Sequence, residues 1–257
     1  MRYHQITPAV NSGATWGAGP YAYVGAGNIK SIGTAERYVY DAFGRLVSGT
    51  TRGGNKQEQT YDAFGNILTI TTNDDTVNRT QLGVDPDTNR ISDGAGPHNA
   101  FAWYDAAGNI IATSDGDSFV WDGAGRLKES TVDGVRTLYL YTPGDQRIAS
   151  ITVNGPNAGT DWTFRDTSGK VLRRYHETPG GDWEWVQDYI YRDGQLLASE
   201  VNGPAKRLHF FPDHLGTPRL ITGNGGAEVS HHDYYPFGKE ETPWTPRGRK
   251  KFTGQER

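Results

Sequence analysis

The 257-residue chain has no cysteine and one methionine, Met1. A disulfide framework is therefore excluded, and the fold must hold in either redox compartment. No apolar run approaches the ~20 residues of a membrane-crossing helix. The opening residues, MRYHQITPAV, carry neither the apolar core nor the cleavage pattern of a secretion signal. Charge of one sign is also scarce. A formal net charge of −4 leaves no electrostatic footprint for nucleic acid or an anionic membrane. No stretch of ~12 residues holds a 3.6-residue apolar period, so almost no helix is expected.

What is present is glycine and aromatic side chains: 34 Gly, 14 Tyr and 7 Trp. With only 35 % apolar residues, the buried area must come from Tyr, Trp and Thr on half-buried strands. These residues recur in a fixed grammar. Tyr40-Asp41-Ala42-Phe43-Gly44-Arg45-Leu46 returns as Tyr61-Asp62-Ala63-Phe64-Gly65-Asn66-Ile67. Aligned on the turn glycine or its substitute, the ladder runs Gly27, Gly44, Gly65, Thr88, Gly108, Gly125, Asp145, Gly169, Gly194, Gly216 and Gly238, at intervals of 17 to 25 residues. Each unit has an alternating aromatic strand, such as Tyr38-Val39-Tyr40 or Phe119-Val120-Trp121. An Asp follows whose carboxylate can accept backbone N–H bonds. Gly then takes φ > 0 in a type I turn with a bulge, and an aliphatic pair starts the return strand. The unit is a β-hairpin, and the chain is a tandem array of such hairpins. Markers decay singly while the spacing holds, so the repeat specifies a backbone path rather than a chemistry.

The Tyr-Asp units resemble YD repeats. Asp213-His214-Leu215-Gly216-Thr217-Pro218-Arg219, with Tyr235-Pro236-Phe237-Gly238, resembles the RHS repeat-associated core, and KFTGQER at 251–257 resembles the start of the next core segment. The resemblance covers Tyr23 to the end. It implies an all-β fold: a spiralling ribbon of β-hairpins, part of a cocoon or open barrel. It divides the chain into a lead-in at 1–22 that is also β, a YD-repeat array at 23–205, and a core segment with a C-terminal loop at 206–257. It implies a non-catalytic shell or scaffold, bacterial and secreted or at the cell surface, that encloses or presents a C-terminal toxin or effector. The alternative is a surface binding module for a glycan or protein. The family's aspartate-dependent self-cleavage segment is expected beyond Arg257, so no catalytic residue is assigned and no enzyme activity or cofactor is expected. Eleven hairpins supply roughly twenty-two strands, a ribbon about 100 Å long. That length predicts an arc or short open barrel with unpaired edges. Such edges would pair with the remainder of an RHS shell, an effector, or another copy.

Asp213, Gly216, Pro218, Arg219, Tyr235, Pro236 and Gly238 are expected to shape the core structurally. His214, His231 and Asp233 are weak candidates for a metal site; the adjacent His231 and His232 would point to opposite faces of one strand and could not share an ion. Trp183 and Trp185 share a face and suit stacking on sugar rings, against the plainer reading of ordinary cross-strand pairs. The carboxylate pairs Asp74-Asp75 and Glu240-Glu241 read as solvated turns. No Gly-x-Ser-x-Gly, His-Glu-x-x-His or phosphate-binding glycine loop is present.

Overall fold

A computed structural model describes residues 17, 19–75, 80–92, 102–202 and 206–241. The segment beyond 241, with the predicted C-terminal loop, and most of the predicted lead-in lie outside these residues. Among the described residues there are twenty strands and no α-helix. Seven strands form one antiparallel sheet in chain order: β1 (Tyr21–Tyr23), β2 (Ile29–Ile32), β3 (Glu36–Tyr40), β4 (Leu46–Thr50), β5 (Lys56–Tyr61), β6 (Ile67–Thr72) and β7 (Thr80–Gln81). Thirteen form a second: β8 (Ala102–Tyr104), β9 (Ile110–Thr113), β10 (Ser118–Trp121), β11 (Leu127–Val132), β12 (Val135–Tyr141), β13 (Arg147–Thr152), β14 (Gly159–Arg165), β15 (Val171–Glu177), β16 (Trp183–Arg192), β17 (Gln195–Val201), β18 (Arg207–Pro212), β19 (Pro218–Thr222) and β20 (Glu228–His231). Among the described residues every strand pairs only with its neighbours in sequence, so each sheet is a meander.

The repeat grammar explains the local geometry. Every ladder position except Thr88 has φ > 0, from 62° at Asp145 to 96° at Gly65. In the unit containing Thr88 the turn is one residue longer. The N–H of Asn89 reaches Asp85 O at 2.8 Å, and Asn89 takes the positive φ of 56°. At Gly194 the connection is instead a two-residue turn, with Asp193 (φ 50°) and Gly194 (φ 82°) both left-handed. Their conformation matches the twist of a tight hairpin.

After each turn the outgoing strand carries one extra residue. Val39 pairs Ser48 and Tyr40 pairs Leu46, which leaves Val47 as a bulge. Leu68, Ile111, Lys128, Ile148, Leu172 and Leu197 hold the same position in later units. Bulges raise local twist, and repeated at every unit they curl the sheet.

The two faces of the ribbon differ. One carries the exposed large side chains Val39, Trp103, Val120, Leu140, Phe164 and Trp183. The other carries the tyrosines that precede each turn and buries Gln57, Gln59, Ser130, Arg174, Gln187 and Ser199. The apolar core is small. Leu208, Phe210 and Ile221 pack with Leu196, Val201 and Val229, and Leu220 packs with Tyr21, Ile32 and Phe211. The Leu220 cluster unites the first two strands with β18 and β19. The first two strands and β18–β19 therefore pack together through side chains, while β1 and β20 stay edge strands of separate sheets, in keeping with the expected arc or short open barrel with unpaired edges.

Candidate functional site

Consecutive units are tied along the column of aspartate turns. Asp62 Oδ1 accepts the N–H groups of Phe64 and Asn66 at 2.9 and 2.8 Å. Asp41, Asp105, Asp122, Asp166 and Asp213 likewise accept N–H bonds from their own turns. The Asn66 side-chain amide, joined by those backbone donors, outweighs desolvation and holds the Asp62 carboxyl below the usual range. In several units the aromatic residue before the turn reaches back to the preceding unit. Tyr40 Oη donates to Ile29 O at 2.9 Å, Trp121 Nε1 to Ile110 O at 2.7 Å, and Tyr141 Oη to Leu127 O at 2.9 Å. The residue after the turn glycine reaches forward. Arg45 pairs with Asp41 at 2.6 Å, donates to Asp62 O at 2.9 Å and lies over the Tyr61 ring.

The unit at 211–220 departs from this pattern at two positions. Pro212 stands in place of the tyrosine, and the bulge between Phe211–Leu220 and Pro212–Pro218 is Arg219. Elsewhere that position is half-buried or exposed; Arg219 is only 8 % exposed. Its guanidinium meets Asp233 at 2.8 Å, Glu36 at 3.4 Å and Asp213 at 3.7 Å. Its Cζ also lies 5.7 Å from the Tyr234 ring centroid. Burial alone would lower the proton affinity of Arg219, but Glu36, Asp233 and Asp213 outweigh it and raise the pKa. Arg52 adds a second cation 3.6 Å from Glu36, and Tyr38 Oη donates to Glu36 at 2.9 Å. Three carboxylates thus share two guanidiniums across a contact between β3 and β19. Desolvation, with Glu36 next, pushes Tyr38 well above the ordinary phenol range. Tyr21 is pushed up to about 12, by burial first and then by Asp213 and Glu36.

Around Arg219 the seam continues. Tyr21 Oη bonds His214 Nδ1 at 2.8 Å. His232, 1 % exposed, bonds Ser230 Oγ at 2.9 Å and Glu240 at 2.5 Å. Asn55 donates to Glu241. The Glu240-Glu241 pair is therefore bonded into the seam, which corrects its reading as a solvated turn. Pro236 presses on Gly49, where any Cβ would collide with the Pro236 ring and approach Tyr38. Gly49 has no positive φ, so its glycine is required by this close approach.

The predicted residues fall as follows. Asp213 and Gly216 (φ 79°) form the turn, with Pro218 fully buried behind it. Tyr235 N donates to Lys239 O, closing the turn through Pro236 to Gly238 (φ 84°), in which Phe237 also takes φ 66°. His214 is engaged with Tyr21, and His231 Nε2 lies 4.0 Å from Asp233. Among the described residues no three His, Asp or Glu side chains converge as a metal site would require. Trp183 stacks on Trp162 at 5.8 Å, and Trp185 Nε1 donates to Asp188 at 3.1 Å. Sequence reasoning assigned no part in this seam to Glu36, Tyr38, Gly49 or His232. Of these only Gly49, a glycine inside a strand, carried a local signal.

Comparisons with known proteins agree with this architecture. No curated protein matches the sequence. Two crystal structures of TcdB2–TccC3 superpose with a TM-score of 0.70 each, at 18 % and 17 % identity. Each covers 92 % of this chain, which in turn covers 14 % and 15 % of theirs. The Photorhabdus luminescens Tc holotoxin pore gives 0.61 at 17 % identity, covering 86 % of this chain and 13 % of that one. The chain thus spans about one seventh of the length of these structures, and the likeness is one of fold. The model of the teneurin YD-shell matches residues 27–243. With strands, turns and bulges repeating across that span, the chain belongs to the teneurin YD-shell family.

Proposed function

We propose that the chain is a non-catalytic shell segment that encloses or presents a C-terminal toxin or effector. The observation that carries this reading is the seam. Strand β19 locks onto β3 through Arg219, while the ribbon face that carries the turn tyrosines buries polar Gln and Ser side chains. A ribbon pinned across its strands in this way gives a fixed surface that can surround or present a further chain. The Tc-toxin neighbours support the same reading. On this reading the protein is secreted or displayed at a bacterial surface. Its partners are the rest of an RHS shell and the effector, or another copy through exposed strand edges.

The experiment is limited proteolysis of a longer chain in which an effector sequence follows residue 257. The effector should resist a protease that digests it in isolation, and Arg219→Met should restore digestion. Equal digestion with and without the shell would refute enclosure.

A further inference from the structure

A groove on the outer face of β16–β18 is built from different parts than the seam. Trp185, Glu200, Val201, Asn202, Lys206, Arg207 and Asn224 line a cavity of about 480 Å³. That size lies within the range of small-molecule sites. One row of cross-strand partners leads into it: Arg173 opposite Asp188, Asp188 opposite Glu200, and Glu200 opposite Arg207. Arg173 grips Asp188 with two bonds, of 2.5 and 2.6 Å. Arg207 binds Glu200, and Trp185 Nε1 is fixed on Asp188. Beside this row lies an aromatic patch in which Trp183 stacks on Trp162 and meets Tyr175 edge-on at 5.9 Å.

We propose that this groove binds a neutral oligosaccharide, independently of enclosure, which concerns the opposite face. Three features select that ligand class. A sugar hydroxyl both donates and accepts, and the groove offers both roles: carboxylate oxygens from Glu200, N–H donors from Arg207 and Lys206, and amides from Asn202 and Asn224. The indole of Trp185 supplies the flat apolar surface on which a pyranose face packs, with Trp183 and Trp162 extending it for further rings. Charge nearly cancels, with the guanidiniums of Arg173 and Arg207 against Asp188 and Glu200 and Lys206 one cation more, so no strong field draws a polyanion. The polar groups are already held in place by one another, which lowers the ordering cost of binding.

The test is an array of immobilised neutral and sulfated oligosaccharides, followed by tryptophan-fluorescence titration of the neutral sugar that binds best. Trp185→Ala and Asn224→Ala should each weaken binding about tenfold or more without moving the melting midpoint. If Trp185→Ala lowers the midpoint, Asn224→Ala, an exposed turn residue, decides the question. Three results would overturn the proposal: no neutral sugar binds, Asn224→Ala binds like wild type, or binding is confined to sulfated chains and vanishes in salt.

Discussion

Replacing Arg219 with methionine removes the cation that Glu36, Asp213 and Asp233 share, and leaves their charges facing one another in a buried contact. Breaking such a cluster from one side costs about 3–5 kcal/mol. We expect Arg219→Met to lower the unfolding free energy by that amount in urea titration. Adding Asp233→Asn should recover part of the loss, because Asp233 is the carboxylate nearest the Arg219 guanidinium, at 2.8 Å, and its stranded charge goes with it. Gly49→Val tests the seam with the opposite intuition. Valine favours strands, so in an isolated hairpin it would stabilise β4. Here its side chain meets Pro236 and Tyr38, and overpacking of this kind costs ~1–3 kcal/mol. A Gly49→Val protein that melts higher than wild type would mean that Pro236 does not rest on this strand.

At the scale of the element, the hairpin is a local device joined to its neighbours by strand pairing and, near each turn, by side-chain hydrogen bonds. Tyr141→Phe keeps the ring beneath Arg126 and removes only the bond to Leu127 O. It should cost ~0.5–1.5 kcal/mol, with faster amide exchange at the β11–β12 pairing. This level was the most legible in the sequence. Asp, Gly and the aromatic lie within a few residues of one another, and their spacing reports a turn directly. The ladder slipped at Thr88 because the Asp85 turn is one residue longer and Asn, which also tolerates φ > 0, replaces Gly. The seam was not legible. Glu36 reads as an ordinary exposed charge on an alternating strand, and nothing near it in sequence announces a partner at Arg219. Family likeness marked Arg219 as structural without showing what it binds. The outer groove was half visible, since Trp183 and Trp185 share a face by periodicity. Glu200, Arg207 and Asn224 join them only through pairing across three strands.

At the scale of the molecule, the array is held twice: strand by strand along the ribbon, and once across it. The cross-contact has its own pH response. The phenol of Tyr21 titrates near 10 when unfolded and at about 12 in the fold, so its contribution is intact below pH 10 and is lost as pH rises toward 12. Tyr38 is raised in the same direction. Alkaline titration should therefore release the seam before the hairpins, read as amide exchange rising at β1–β3 and β19 while β11–β15 stay protected. Tyr21→Phe should make that loss shallower. Simultaneous loss everywhere would place the weak point elsewhere.

The span of the seam also has a meaning in time. Glu36 and Arg219 lie 183 positions apart, whereas each hairpin joins residues separated by one turn. Hairpins of this kind form in microseconds once their residues exist. During synthesis at the usual rates, Glu36 waits roughly 10–40 s for Arg219 to be made. Throughout that interval the first sheet has no cover on its inner side, and its carboxylate has no guanidinium from β19. The order of manufacture thus leaves Glu36 without Arg219 until β19 has been made, and the seam closes after the hairpins between them.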